Sequence, residues 1–346
     1  MNSEVRRSRL KGTREADRIL KILDVRPRLL ATHERVDVFD ALAWLDVTVM
    51  FRPLRGLLGA YLRGDRPGAL ISTQRQLSVQ RFTAAHELGH AVLNHEPSLD
   101  SPDVLRRAAL NTPTKKIAGF ASYLQEIEAD AFAGAFLLPI WLVTHHARKQ
   151  GWSRTALTQE VTVYQLSLRC GASFQATVWA LERHQFISQD DRVRLLGVKP
   201  KTVKALLGHQ EPVAKTRADA WLLTKGDAGS DIAVVVGDTI TTTLDQNAGA
   251  GFLWKNINET PKALSFISEE TDVPFGLIGA RTTKHELYRA DEAGGVSLRY
   301  QHKRPWEEEA IDHAAFNLLI HNPESGLSRA NRRRMIVSAD QGHHAN

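Results

Sequence analysis

Two histidines four residues apart, with a glutamate beside the first, are the residues of this chain best placed to do chemistry: His86-Glu87-Leu88-Gly89-His90. On a helix, positions four apart lie one above the other on one face, so both imidazoles can aim at a single metal ion. Glu87 sits one step round, within reach of a water at that metal. This is the pattern of zinc-dependent hydrolysis. The metal lowers the pKa of water to about 7, and Glu87 acts as general base and then as proton donor to the leaving amine. The stretch reads as a buried helix, because Phe82, Ala85, Leu88, Ala91, Val92 and Leu93 are apolar, and a buried histidine without a partner is costly. Gly89 costs about 1 kcal/mol against alanine inside a helix, which implies close packing or a ligand beside it.

A catalytic zinc takes three protein ligands and leaves one position open. The run Gln125-Glu126-Ile127-Glu128-Ala129-Asp130-Ala131-Phe132-Ala133-Gly134 starts a second helix downstream. Glu126 is the third ligand on this reading. It shares a face with Ala129, Asp130 and Ala133, whose small side chains allow the two helices to approach. Asp130, one turn on, can accept the second N–H of a ligand histidine and fix its tautomer. Glu128 lies about 200° round the helix from Glu126 and is the alternative ligand. For the oxyanion donor, His95, His145, His146 and Tyr123 are candidates that the sequence does not rank.

The elements that must position these groups follow from patterning. Residues 13–32 read as an N-terminal helix, and Val36 to Leu45 as a short amphipathic one. Strand candidates run from Val47 to Phe51, Leu57 to Leu62 and Ala69 to Ser72, the last two around the turn Gly64-Asp65-Arg66-Pro67-Gly68. The motif helix spans about 78–95, the acidic helix 126–138, and 140–187 is helical again. Residues 199–215 are polar and read as a linker. Beyond 215 apolar residues alternate at Ile232, Val234 and Val236, at Ile240, Thr242 and Leu244, at Val296, Leu298 and Tyr300, and at Phe316, Leu318 and Ile320. Period two with glycine-rich turns between the runs argues an all-β sandwich.

Composition bounds the class of protein. The 346 residues are 42% hydrophobic and 24% charged, with 45 basic against 39 acidic residues for a net +6. That is ordinary globular composition for two or three domains. The charge is mild and does not itself imply nucleic acid. The basic clusters at the two ends read as solvated tails. One cysteine, Cys170, excludes an internal disulfide and a cysteine-rich metal site. It sits at an apolar position and reads as core. The N-terminus is charged and lacks a signal-like apolar segment. The longest apolar run, Ala131 to Val143, is too short to span a bilayer and contains Pro139. A cytoplasmic protein with no membrane partner is expected.

Three pieces taken together, Arg81-Phe82-Thr83-x-Ala85-His86-Glu87-Leu88-Gly89-His90, then Glu126-x-Glu128-Ala129-x-x-Phe132-Ala133, then Leu137-Leu138-Pro139, resemble the ImmA/IrrE family of zinc metallopeptidases. The resemblance covers residues 36–139. It implies a zincin-like, cytoplasmic endopeptidase that cuts helix-turn-helix repressors of the XRE type, in stress-response or mobile-element circuits. Asp130 stands where that family often has asparagine.

Residues 160–187 run helix, glycine turn at Gly171, serine start at Ser173, helix, which is helix-turn-helix spacing. The second helix has few basic residues, only Arg183 and His184 near its end, whereas a helix that reads bases carries several. A packing role beside the peptidase is favoured over direct DNA binding. A DNA-binding regulator is the alternative reading of this segment. The family resemblance implies a helix-turn-helix-like subdomain there, which could dock the substrate.

The β half presents three loops: Asn247-Ala248-Gly249-Ala250-Gly251-Phe252-Leu253-Trp254, then Phe275-Gly276-Leu277-Ile278-Gly279, then Arg304-Pro305-Trp306. Glycine-rich loops and a tryptophan on a sheet scaffold suit protein binding. Asn247, Gly251, Phe252, Trp254, Gly276, Gly279, Arg304, Pro305 and Trp306 are the candidate contacts, with core placement equally open for Trp254. Their order over residues 216–322, with Asp238-Thr239-Ile240 ahead of the first, resembles chagasin-like inhibitors of papain-type cysteine proteases. That resemblance implies an immunoglobulin-like sandwich. Here Ala248-Gly249-Ala250 replaces the family's Pro-Thr-Thr, and Gly276 and Gly279 are further apart than its second-loop glycines. The expected architecture is therefore multidomain α+β: a metallopeptidase domain over 1–145, a helix-turn-helix-like segment over 146–198, a linker over 199–215, an all-β sandwich over 216–322 and a basic tail over 323–346. The main alternative function is a cysteine-protease inhibitor-like binding protein.

Overall fold

The structure, a computed structural model, describes residues 3–32, 35–96, 98–100, 120–207, 218–258, 261–273 and 281–322. The loop 275–279 and the tail 323–346 lie outside the described residues, and so do Gly276 and Gly279.

The front half is built round one helix. That helix, α4 (Leu77–Val92), follows helices α1 (Ser3–Ile22), α2 (Val25–Thr32) and α3 (Val38–Trp44) and strands β1 (Thr48–Arg52), β2 (Gly59–Leu62) and β3 (Gly68–Ser72). With β4 (Ser98–Asp100) the strands form a sheet in the order β1-β3-β2-β4, with β1 parallel to β3 and the remaining pairs antiparallel. The N-terminal helix expected over 13–32 is two helices. The chain turns between them at Asp24, whose φ is 47°. Asp37 caps α3 by accepting from the backbone N–H of Phe39 and Asp40. The sheet packs against one side of α4, and helix α5 (Phe120–Leu137) packs against another.

α5 ends at Leu137, and Pro139 is the N-cap of α6 (Ile140–Lys149). The stretch Tyr123–Lys149 has the length and hydropathy of a membrane span, but 61% of its most apolar window is buried inside the protein. Helices α7 (Glu160–Cys170) and α8 (Phe174–Arg183) meet at Gly171, left-handed at φ 62°, and Ser173 caps α8 through the Ala176 N–H. Arg81, at the start of the motif, reaches this turn. Its Nε donates to Gly171 O at 2.9 Å and its Nη2 to Val36 O. The metal-motif helix is thereby tied to the helical segment behind it. Cys170 is fully buried, and burial pushes its thiol up to about 12, so it is an inert core residue.

Of the expected linker over 199–215, residues 199–207 are described, and most of these are helical. After α9 (Gln189–Leu196), Pro200 stands in the first turn of α10 (Pro200–Leu206), and Val203 is fully buried against α7. A proline at that position is preset for a helix, and Lys204 adds an ion pair to Asp219 at 2.8 Å.

The back half is two four-stranded sheets. β5 (Ala220–Thr224), β7 (Thr239–Gln246), β10 (Thr282–Ala290) and β9 (Leu264–Asp272) form one, in the order β5-β7-β10-β9. The other has the order β6-β12-β11-β8, from β6 (Asp231–Val235), β12 (Asp312–His321), β11 (Gly294–Lys303) and β8 (Leu253–Asn256). Alternate residues of both sheets, among them Leu223, Ile240, Leu244, Leu298, Tyr300 and Phe316, form a core separate from that of the front half. Asp238 closes the corner before β7. It accepts from Asp219 N at 2.7 Å, Val235 N at 2.9 Å and Trp221 Nε1 at 3.2 Å.

Directional polar contacts join the halves. β5 is an edge strand, and the side-chain amide of Gln165 on α7 pairs with it as a neighbouring strand would. Gln165 Nε2 donates to Ala220 O at 2.7 Å, and Leu222 N donates to Gln165 Oε1 at 2.9 Å. The edge is covered, not left open to other chains. Tyr164 OH donates to Asp219 at 2.8 Å. The Asp227 carboxylate takes Arg169 through Nε at 3.0 Å and Nη2 at 2.7 Å, Gln150 Nε2 at 2.7 Å and Thr224 N at 3.0 Å. The Arg169 and Asp227 side chains are 6% and 8% exposed, so this is a buried bidentate ion pair.

Removing one partner of such a pair strands the other charge. Asp227→Ala is expected to cost about 3–5 kcal/mol, read as a lowered Tm in calorimetry with the β sandwich melting as a separate transition. His184 yields a second prediction. Its Nε2 lies 2.8 Å from Leu138 O, and burial pushes the imidazole down to about 4. Its contribution to stability is complete above its ordinary value of 6.5 and is lost as pH falls through 4. NMR titration of the native protein is expected to find this ring neutral at pH 5.5.

Candidate metal centre

The geometry of the motif is set where α4 ends. Leu93 caps the helix, and Asn94 turns left-handed at φ 53°. Asn94 N donates to Ala91 O at 3.2 Å and His95 N to His90 O at 3.0 Å. This is a Schellman turn with asparagine in the place glycine usually takes. It folds the His95 ring back onto the His90 ring, with their Nδ1 atoms 3.0 Å apart.

His86, Glu87 and His90 are all fully buried. His86 Nε2 and His90 Nε2 face each other at 2.9 Å. Glu126 of α5 brings Oε2 to 3.5 Å from His86 Nε2 and Oε1 to 3.6 Å from His90 Nε2. Ligand atoms about 2.0–2.1 Å from one tetrahedral ion lie roughly 3.3 Å from each other. The three observed edges bracket that value, and two imidazoles with one carboxylate are a zinc-type donor set. The residues present therefore fit a metal ion, with His86, His90 and Glu126 as its holders.

Glu126 reaches the pair because α4 and α5 touch at backbone level. A Cβ on Gly89 would meet Ala129 Cα and Phe132 Cβ at 3.2 Å each. Asp130, one turn beyond Glu126, puts Oδ1 2.9 Å from His86 Nδ1. With Nε2 turned to the metal edge, Nδ1 is the nitrogen left to carry a proton, and the aspartate carboxylate stands beside it.

Glu128, the alternative ligand, is directed elsewhere. Its Oε2 lies 3.0 Å from His95 Nε2 and accepts from Lys11 Nζ at 2.6 Å. The Glu128 carboxylate, which also accepts from Lys11, can only accept, so it takes the proton of His95 Nε2 and leaves Nδ1 as the acceptor. The proton order is then determined. His90 Nδ1–H donates to His95 Nδ1, and His95 Nε2–H donates to Glu128. His95 stands behind His90 and orients it, which is a different place from the oxyanion side proposed for it on sequence. Of the remaining oxyanion candidates, His146 is buried on α6, and His145 lines an open groove between α2 and α6 with Trp141 and Arg26. Tyr123 is half-buried on α5, three residues before Glu126.

β2 supplies two neighbours that the motif did not announce. Gly59 and Tyr61, two apart on the strand, both face α4. The Tyr61 ring stacks on His90 with centroids 6.1 Å apart. A Cβ on Gly59 would lie 2.5 Å from Glu87 Oε1, so this strand position has room for the carboxylate only without a side chain. Glycine and tyrosine at strand spacing beside a motif helix were the available signal.

The first and third β-domain loops form one exposed tip. Arg304 Nε donates to Ala250 O at 2.9 Å, and its guanidinium lies 4.4 Å over the Phe252 ring. The Trp306 ring rests against Gly251, left-handed at φ 83°, where a Cβ would fall 2.8 Å from Trp306 Cη2. Trp306 is 72% exposed, and Pro305 and Asn247 are exposed too. Trp254 faces the other way. It is 4% exposed, donates from Nε1 to Asp245 O at 2.7 Å and stacks on His302 at 4.6 Å. It is therefore core beneath the tip, not a contact residue. At the end of α8, Arg183 Nη2 donates to Gly134 O at 2.8 Å and His184 reaches Leu138 O. The two basic groups of α8 thus hold the end of α5.

Comparison with known proteins finds both halves. The IrrE N-terminal-like domain family matches residues 44–181, and the Chagasin family of peptidase inhibitors matches residues 233–320. Chagasin of Trypanosoma cruzi is 27% identical over 103 residues, which are 28% of this chain and 94% of that protein. Among solved structures, the cysteine protease inhibitor EhICP2 from Entamoeba histolytica is 19% identical, covering 30% of this chain and 97% of that one, with a TM-score of 0.28. PbICP-C in complex with falcipain-2 is 14% identical, covering 30% and 92%, with a TM-score of 0.23. The chain is thus similar to the IrrE N-terminal-like domain family over residues 44–181 and to the Chagasin family over residues 233–320.

Proposed function

We propose that this chain is a zinc-dependent endopeptidase whose substrate is a helix-turn-helix repressor of the XRE type, as in the ImmA/IrrE peptidases it resembles, in a stress-response or mobile-element circuit. The observation that carries the hydrolytic reading is the buried triangle of His86 Nε2, His90 Nε2 and Glu126 at 2.9, 3.5 and 3.6 Å, with Glu87 on the same helix. Zinc held there supplies Lewis acidity at the scissile carbonyl and an acidified water. Glu87 takes the proton of the attacking water and returns it to the leaving amine. Asp130 and His95 keep the Nε2 atoms of His86 and His90 turned to the metal edge. The repressor as substrate rests on the family resemblance.

A second reading concerns the tip. Gly251, Phe252, Arg304 and Trp306 are packed into one surface with an exposed aromatic anchor, which is how a protein-binding edge is built. Together with the Chagasin-family match, this supports a papain-type cysteine protease as the partner of the β domain.

The full chain is expected to bind one zinc per molecule and to cleave a cognate XRE-type repressor, with cleavage abolished by a chelator. Glu87→Gln is expected to keep the zinc and lose cleavage by about 10²-fold or more; unchanged turnover would overturn the assignment. Gly59→Val drives a side chain into Glu87 and is expected to cost about 1–3 kcal/mol of stability along with most of the activity. For the tip, titration against papain is expected to show inhibition that Trp306→Ala weakens at least tenfold. No inhibition by the wild type at micromolar concentration would remove that reading.

A further inference from the structure

The N-terminal helix α1 lies outside the matched peptidase residues 44–181, yet it ends up against the metal centre. Two adjacent residues put it there. Lys11 Nζ donates to Glu128 Oε2 at 2.6 Å. Gly12 lets the helix backbone come down onto the same turn of α5, where a Cβ would fall 2.1 Å from Glu128 O and 3.1 Å from Phe132 N. Ser8, Gly12 and Ala16, four apart, are all buried along that contact. From Lys11 a single line of polar contacts runs inward: Lys11 to Glu128 at 2.6 Å, Glu128 to His95 at 3.0 Å, His95 to His90 at 3.0 Å, and His90 Nε2 to the metal edge.

We infer that Lys11 is a positioning residue of the metal centre and that α1, through Lys11 and Gly12, sets how tightly the metal is held. The inference rests on the metal-centre reading above. The physical chain is short. The ammonium keeps the Glu128 carboxylate at the Nε2 side of His95. The carboxylate keeps the His95 proton on Nε2, which leaves Nδ1 as the acceptor for His90 Nδ1–H. His90 is then held in the tautomer and ring orientation that frees Nε2 for a metal. The innermost link, His95 to His90, joins a ligand to its supporting group, and disturbing such a contact typically costs 10–100-fold in metal affinity; the outer two links fix that group in place. Lys11 is half-exposed, its side chain 55% accessible, so exchanging it leaves the core intact. A displacement of α1 would act on the same line without touching any ligand.

The test is zinc affinity of the full chain, measured by competition with a chromophoric chelator, together with the visible absorption of the cobalt(II)-substituted protein. Lys11→Met is expected to weaken zinc binding about tenfold and to shift the cobalt bands. Lys11→Arg, which keeps the cation, is expected to restore both. Gly12→Ala is expected to weaken binding in the same direction by lifting α1 from Glu128. Wild-type affinity and an unchanged cobalt spectrum in Lys11→Met would overturn the inference. His86→Ala separates the two levels of the argument. If it binds zinc as the wild type does, the metal-centre reading falls and this inference with it. If only His86→Ala loses zinc while Lys11→Met and Gly12→Ala do not, the positioning role alone is wrong.

Discussion

The site depends on helices touching at backbone distance. α4 meets α5 at Gly89 against Ala129 and Phe132, and α1 meets α5 at Gly12 against Glu128. A carboxylate reaches an imidazole on a neighbouring helix only if no layer of side chains separates the two axes. That crossing buries two histidines and a glutamate completely. Buried polar groups are tolerated where each is paired, and here the pairing extends outward through Asp130 on one side and through His95, Glu128 and Lys11 on the other. The glycines and alanines are therefore as much part of the chemistry as the ligands.

The junction between the two halves follows a different logic. An apolar interface could slide. This one is built from hydrogen bonds with fixed directions: the Gln165 amide on the β5 backbone, Tyr164 on Asp219, and the two-pronged Arg169 on Asp227. It also protects an edge strand that would otherwise be open to another chain. The arrangement holds the sandwich on α7, the helix whose following turn Arg81 binds. The motif helix and the β domain are thus both fastened to the α7–α8 pair. The basic residues at the end of α8 are engaged with α5, which makes that pair a structural hub.

In the β domain, exposure separates the two tryptophans of the loops. Trp254 and Trp306 both follow glycine-rich or proline-containing turns, and patterning leaves Trp254 equally open to core and contact. The sheet places Trp254 on the inner face, against His302, and leaves Trp306 beyond the strand end against Gly251. Inward and outward alternate by one residue along a strand, so a shift too small to read in composition decides which ring meets solvent.

The sequence by itself determined the local features. Spacing of four put His86 and His90 on one helical face, alternation marked the sandwich, and Gly171 with Ser173 marked the turn between α7 and α8. Each depends on contacts within a few residues, which the chain states directly. Choosing between Glu126 and Glu128 needed the crossing angle and rotation of two helices far apart in sequence, and only the tertiary structure places the first at the imidazoles and the second at His95. The same holds for Gly59, Tyr61 and Lys11, which contribute to the site through space from a strand and an N-terminal helix. Their spacing to the motif carries no period. What brings them together is close packing, a property of the folded whole that no local pattern encodes.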